Sequence, residues 1–169
     1  ALSIRADIYR DEGEYQVAKN LLSAVIETSL QIGETEASYN AKSYLGRVFN
    51  NEGELENART VTEEVLDFGL ANWLDQPMGI YNTMLELGTI YQRQGRSAEA
   101  EATYEEALQG LMDLVGDQHP STLVALNNLG QVYEEIGLYD KAEPILKLAL
   151  DSLEATLGPS NPQSSRARN

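Results

Sequence analysis

One sequence unit occurs four times along the 169-residue chain. Each copy carries an aromatic residue, a glycine four residues later and an alanine five residues after that glycine. The glycines are Gly13, Gly53, Gly95 and Gly137, so successive copies are 40, 42 and 42 residues apart. The other two markers keep the same intervals, and they are Tyr9, Phe49, Tyr91 and Tyr133 with Ala18, Ala58, Ala100 and Ala142. A repeat of this length indicates a fold built from stacked supersecondary units.

Each unit is predicted to form two amphipathic helices. In the fourth unit the segment "TLVALNNLGQVYEEIG" places Leu126, Leu129 and Tyr133 on one helical face. Gly137 is expected to end this helix, because glycine readily adopts the left-handed conformation found at helix C-termini. A second periodic segment follows, with Leu146 among its inward-facing positions. The chain therefore reads as a series of helix pairs.

Small residues occupy fixed places in both helices of a pair. Gly130 in the first helix and Ala142 and Ala149 in the second are expected to let two antiparallel helices approach closely. Pro144 lacks a backbone donor, but it lies near the start of the second helix and is expected to cause at most a local bend.

Composition narrows the classes of partner. Twenty-seven acidic residues against twelve basic ones give a net charge of -15. This balance argues against nucleic acid as the main partner, since such binding depends on Lys and Arg at phosphates, and it weakens the case for an anionic membrane surface. The chain has no cysteine and no apolar run of roughly 20 residues. We expect a soluble, cytoplasmic protein with no cofactor and no metal site.

The repeated pattern resembles a known family. The string L-x-x-L-G-x-x-Y-x-x-x-G-x-Y-x-x-A-x-x-x-L-x-x-A is similar to the tetratricopeptide repeat signature. The fourth unit matches it in full, at Leu126, Leu129, Gly130, Tyr133, Gly137, Tyr139, Ala142, Leu146 and Ala149. The third unit matches nearly as well, whereas Arg5 and Thr62 are departures in the first two. The linker "LVGDQHPSTLVALNNLG" resembles that of the kinesin light chain type, whose units are about 42 residues long.

This resemblance implies an all-α fold, a right-handed α-α superhelix (solenoid) of about four helix pairs. We expect one array with repeats at approximately 1–34, 35–76, 77–118 and 119–160, and with 161–169 starting a fifth repeat. Leu2 falls at a core position, and Pro162 aligns with Pro120. The sequence is therefore expected to be an array truncated at both ends.

The resemblance also implies that a ligand lies along the first helix of each repeat. The groove positions and their neighbours give these candidate partner-binding residues: Asn40, Ser43, Arg47, Asn50, Asn82, Thr89, Arg93, Asn127, Asn128 and Gln131. Asn127 can offer one acceptor and two donors to the backbone of an extended peptide. Asn128 has a second interpretation, a hydrogen bond to a neighbouring helix or turn.

The charged candidates also leave alternatives open. Arg47 and Arg93 either pair with an acidic ligand or are neutralised by nearby carboxylates. The excess acid forms either a solvated face or a surface for a basic partner segment. The lysine and asparagine pattern of the carboxylate-clamp subfamily is absent from the groove positions. His119 lies in the linker motif, where "HP" starts the next helix, and Trp73 is expected to pack between repeats.

No catalytic constellation is found, so the predicted function is a non-enzymatic scaffold. It would bind a peptide or helix of a partner protein in a concave groove, as part of a larger protein. The alternative is a regulatory or self-association segment that packs on another domain of the same chain or forms oligomers. A dimer, if present, is expected to use the truncated ends, near 2–9 or 145–157.

Overall fold

The computed structural model describes residues 2–157, with side chains from residue 5 to residue 155. All regular structure in this range is helical, which confirms the predicted all-α class. The helices are α1 (Leu2–Asp11), α2 (Tyr15–Gln31), α3 (Thr35–Glu52), α4 (Leu55–Asn72), α5 (Pro77–Arg93), α6 (Ser97–Val115), α7 (Pro120–Glu135) and α8 (Tyr139–Leu157). The expected core role of the Leu2 side chain and the expected fifth repeat at 161–169 lie outside the described residues.

The two helices of each pair are joined at a glycine in the left-handed conformation. Gly13, Gly53, Gly95 and Gly137 have φ angles of 80°, 92°, 74° and 77°. The N–H of Gly53, for example, donates to the carbonyl of Phe49 at 3.0 Å and closes the end of α3. Because side chains strongly disfavour this conformation, glycine is required at these turns. The prediction that these four glycines end helices is confirmed.

The chain forms two compact units, one up to Gln94 with α1 to α5 and one from Gly95 with α6 to α8. Within the first unit, consecutive helices pack against each other around a core that includes Leu22 and Val48. Within the second unit, α7 packs on both α6 and α8, and Leu126 and Leu129 are buried.

Paired helices approach most closely where the first helix carries glycine. A Cβ atom built on Gly130 would lie 2.3 Å from Cδ2 of Leu146 in α8. A Cβ on Gly46 would lie 2.8 Å from Oγ1 of Thr62 in α4. Cβ atoms essentially never lie this close to another heavy atom, so any side chain at these positions would force Leu146 or Thr62 to shift. The steric role predicted for Gly130 is confirmed.

Pro144 is the sixth residue of α8, and the helix continues without a break to Leu157. At this position in the helix, proline lacks the N–H that would otherwise donate to the carbonyl of Asp140. Its side chain is exposed, and it leaves the packed face of α8 unchanged.

We predict that Gly130→Ala destabilises the protein despite the higher helix propensity of alanine. The propensity gain is about 1 kcal/mol, whereas overpacking against Leu146 costs about 1–3 kcal/mol. Urea unfolding followed by circular dichroism should show a net loss of up to about 2 kcal/mol in the free energy of unfolding.

Gly79→Ala is the matched control. Gly79 is an exposed helical glycine of α5, and a Cβ on it would meet no atom within 4 Å. This variant should gain up to about 1 kcal/mol. Equal behaviour of the two variants would contradict a steric role for Gly130.

Candidate partner-binding surface

The charged candidate Arg47 is engaged inside the first unit. Its Nε donates to Oε1 of Glu86 in α5 at 2.7 Å, and its guanidinium carbon lies 5.0 Å from the centre of the Tyr44 ring. Burial raises the pKa of the Glu86 carboxyl, and the charge and hydrogen bond of Arg47 oppose that shift. The charges of Arg10 and Asp7 in α1 also act on this carboxyl, lowering and raising its pKa respectively. Of the two interpretations of Arg47, neutralisation by a nearby carboxylate is the one observed.

Arg93 also has a partner within the same unit. Its guanidinium donates to the backbone carbonyl of Asn50 and to the side-chain oxygen of the same residue. The structure thus brings two candidates into contact, Arg93 of α5 and Asn50 of α3. A ligand that used either one would have to replace this contact.

The hydroxyl candidates bond to their own helices. Ser43 Oγ donates to the carbonyl of Tyr39 at 3.2 Å, and Thr89 Oγ1 donates to the carbonyl of Leu85 at 2.9 Å. Asn40 and Asn82 are exposed on the first helices of their repeats. The first unit therefore offers few candidate side chains that are not already engaged.

In the second unit, the paired asparagines of α7 lie at an open pocket. Asn127 and Asn128 line a cavity of about 400 Å³ between α7 and α8. Its other walls are aliphatic: Leu123, Val124, Leu146, Ala149, Leu150 and Leu153. Neither asparagine side chain makes a hydrogen bond or ion pair with another described residue. The alternative role for Asn128, a bond to a neighbouring helix or turn, is not observed within residues 2–157.

Gln131 is exposed one turn beyond Asn127 on α7. The spacing of four residues places both on one helical face, so an amide-bearing edge borders the aliphatic pocket. Such an edge can hydrogen-bond a peptide backbone while the pocket buries apolar side chains.

Sequence reasoning missed the aliphatic wall of this pocket. Leu150 and Leu153 follow the same apolar spacing as ordinary core residues, and the pattern alone predicts burial. In the structure both are only half-buried.

Some of the acidic side chains accept hydrogen bonds from a neighbouring helix. The hydroxyl of Tyr133 donates to Glu105 at 2.6 Å, and that of Tyr91 donates to Glu63 at 3.0 Å. Both pairs span 28 residues, so the same contact recurs in two repeats. Burial, together with the neighbouring Glu105 carboxylate, raises the pKa of the Tyr133 hydroxyl. These carboxylates have a structural role in addition to their charge.

The only histidine begins a helix. His119 is the N-cap of α7, and its Nδ1 accepts a hydrogen bond from the N–H of Ser121 at 3.2 Å. Pro120 then occupies the first helical position, where a missing donor has no cost. Within the described residues no cluster of three or more His, Cys, Asp or Glu side chains could hold a metal ion.

None of the helices in residues 2–157 combines the length and the apolar character that a membrane span needs.

These features define a class: an all-α repeat protein of closely packed helix pairs, with polar side chains on the first helices. Residues 79–168 match the tetratricopeptide repeat family, which is more than half of the chain. The chain belongs to that family. A search of curated protein sequences gave no significant match.

Solved structures with low sequence identity share the fold. BtubC (BKLC) from P. vanneervenii has a TM-score of 0.87 at 22% identity, over 98% of this chain and 67% of that protein. A candidate kinesin light chain from Podosopora anserina, with nearly identical TPR-like repeats, has a TM-score of 0.85 at 20% identity. That match covers 99% of this chain and 80% of the other. The predicted class of repeated tetratricopeptide-type helix pairs, similar to kinesin light chain repeats, is confirmed.

A Rap protein complexed with competence and sporulation factor is also similar, with a TM-score of 0.78 at 17% identity. The match covers 98% of this chain and 50% of the Rap protein. At this identity the likeness concerns the fold alone.

We predict that Arg47→Met destabilises the first unit at neutral pH, because it leaves the Glu86 carboxylate without its partner. The Glu86 side chain is 29% exposed, so the expected cost is about 1–2 kcal/mol. Its pKa is raised in the folded state already and should rise further in the variant. Acidification through that raised pKa therefore favours the folded state. The loss of unfolding free energy in Arg47→Met should become smaller as the pH falls.

The measurement is urea unfolding at neutral and mildly acidic pH, followed by the fluorescence of Trp73, the single tryptophan. Arg5→Met is the control, since Arg5 is an exposed arginine of the same unit and forms no ion pair with another described residue. It should cost less than about 0.5 kcal/mol. If the loss of unfolding free energy in Arg47→Met does not change with pH, the role assigned to Glu86 is contradicted.

Proposed function

We propose that this chain is a non-enzymatic interaction module that holds a peptide or helix of a partner protein along its first helices. Membership of the tetratricopeptide repeat family supports the general class. The single observation that carries the proposal is the pocket of about 400 Å³ bordered by Asn127 and Asn128. It combines aliphatic walls with amide groups that have no partner in the described chain.

The corresponding surface one repeat earlier indicates what fits there. Subtracting 42 residues maps Leu146, Ala149, Leu150 and Leu153 onto Tyr104, Ala107, Leu108 and Leu111. Those four residues are at most 7% exposed, and α7 packs against the helix that carries them. A surface of this shape is thus complementary to an α-helix, and we infer that the α7–α8 pocket accepts a helical or extended segment.

In this proposal the asparagines fix the direction and the register of the bound segment. An amide placed at the edge of an apolar site bonds to backbone or polar groups without selecting one side chain. Asn127 is exposed and Asn128 is half-buried, so they act at different depths of the same site. The acidic excess of the chain favours a partner segment of neutral or basic character.

The remaining candidates lie in the first unit and are proposed as contacts separate from the α7–α8 pocket. Asn40 and Asn82 would contribute hydrogen bonds. The other candidates of this unit would contribute by exchanging or sharing their internal contacts, and they are Ser43, Arg47, Asn50, Thr89 and Arg93. We place the module in the cytoplasm as part of this proposal. A fluorescent fusion of the parent protein would test that location.

We predict that peptides selected on the wild-type protein from a display library of random linear peptides depend on the α7–α8 pocket. Isothermal titration calorimetry should show about tenfold weaker binding to Asn127→Ala, the loss expected for one or two hydrogen bonds. Leu150→Asp should abolish binding, because it places a charge in the aliphatic wall.

Asn20→Ala is the matched control, because Asn20 is an exposed asparagine of α2 outside the proposed surface. It should bind as the wild type does. Circular dichroism would verify that each variant is folded. If the selected peptides bind all three variants equally, the pocket is not the site.

A second candidate function rests on the same half-buried leucines of α8. We propose that another domain of the same chain, or a second copy, could cover them in a regulatory or self-associating protein. The prediction of a dimer through 2–9 or 145–157 belongs to this alternative.

Size-exclusion chromatography with light scattering separates the two candidates. A dimer that dissociates in Leu150→Asp would favour self-association through α8. A monomer at all concentrations that still binds the selected peptides would favour the partner-binding module.

A further inference from the structure

A second, smaller pocket lies in the first unit at the connection between α4 and α5. It has a volume of about 190 Å³ and is lined by Glu36, Asn40, Trp73, Gln76, Met78 and Gly79. These residues come from the first turns of α3, from the connection and from the start of α5. The volume suits one long side chain of a ligand and is too small for a helix.

The indole of Trp73 packs against two neighbouring residues at this pocket. It packs edge-on against Phe68, with ring centres 5.3 Å apart and an interplanar angle of 82°. Phe68 in turn stacks on Tyr39 of α3 at 3.8 Å. On another side the indole lies against Gly69, where an added Cβ would be 2.9 Å from Cε3 of the ring. The aromatic wall is therefore preformed.

The polar groups of the pocket have no partners of their own. The side chains of Glu36, Asn40 and Gln76 make no hydrogen bond or ion pair with another described residue. Each of them carries at least one acceptor oxygen. Trp73 adds the negative face of an aromatic ring, and Met78 adds a polarizable thioether.

The charge near the pocket is negative. Its lining residues within the described chain include no lysine or arginine, and Asp75 lies between Trp73 and Gln76 in the connection. The N-terminal ends of α3 and α5 contribute about half a positive charge each. The two full charges of Glu36 and Asp75 exceed that contribution.

We propose that this pocket binds an arginine side chain of a partner polypeptide. A guanidinium is planar and weakly hydrated, so it stacks on an indole better than an ammonium does. Its fork of N–H groups can donate to the Glu36 carboxylate and to the amide oxygens of Asn40 and Gln76 together. The proposal goes beyond the α7–α8 pocket and does not rest on it, because the two pockets lie in different compact units.

The test uses the indole N–H of Trp73, which gives one unambiguous tryptophan signal in a ¹H–¹⁵N correlation spectrum. Titration with N-acetyl-arginine amide should move this signal saturably. N-acetyl-citrulline amide, a neutral compound of nearly the same shape, should leave it in place. Binding should weaken about tenfold in Glu36→Gln, the loss expected for a charge-assisted contact.

Two further variants sharpen the outcome. Glu27→Gln removes an exposed carboxylate of α2 outside the pocket and should bind like the wild type. Gln76→Glu adds a second carboxylate to the pocket and should tighten binding.

Three results would overturn the proposal: equal binding of the citrulline compound, unchanged binding to Glu36→Gln, or no movement of the Trp73 signal. A larger response to N-acetyl-aspartate amide would show instead that the helix ends dominate and that the pocket prefers anions. None of these results depends on whether peptides bind at the α7–α8 pocket.

Discussion

The close approach of paired helices is the constraint on which the rest of this structure depends. At Gly46 and Gly130 a Cβ atom would lie 2.8 and 2.3 Å from a side chain of the paired helix, so the present packing requires glycine or a shift of that side chain. Left-handed glycines such as Gly53 and Gly137 reverse the chain over a short turn and make this pairing possible. The inner face of each first helix is thus used for packing. Small polar residues such as Ser38 and Thr122 are buried with it, whereas exposed polar residues such as Asn40 and Asn127 lie on the other faces.

The two compact units use their polar faces differently. In the first unit Arg47 pairs with Glu86 and Arg93 with Asn50, so the charged candidates are already engaged. A ligand gains little by breaking such a contact, because the new bond replaces one that is lost. In the second unit the proposed use of Asn127 and Asn128 would break no hydrogen bond with another described residue. This difference is why we place the proposed binding site at the α7–α8 pocket.

The sequence predicts the helix pairs, their turn glycines and the steric role of Gly130, because these follow from local conformation and from the repeat period. It does not predict that Glu86 pairs with Arg47. The two residues are 39 positions apart, and the sequence offers many other carboxylates as possible partners of Arg47. Nor does it distinguish Leu150 from Leu108, since both fit one apolar pattern and differ only in what packs on them. Local rules decide which residues face inward, and the neighbouring helix decides whether that face is covered.

The two proposed pockets consequently have different physical origins. The α7–α8 pocket is formed by residues that keep the common pattern but are left partly uncovered. The Trp73 pocket arises from a departure from that pattern. The position of Gly69 is occupied by Ser29 in the first repeat and by Leu111 in the third. A larger residue there would collide with the indole, so Gly69 and Trp73 function as a pair: the glycine makes room and the tryptophan fills it. Because this exchange occurs in one repeat only, it gives an otherwise periodic chain a distinct recognition element at one position.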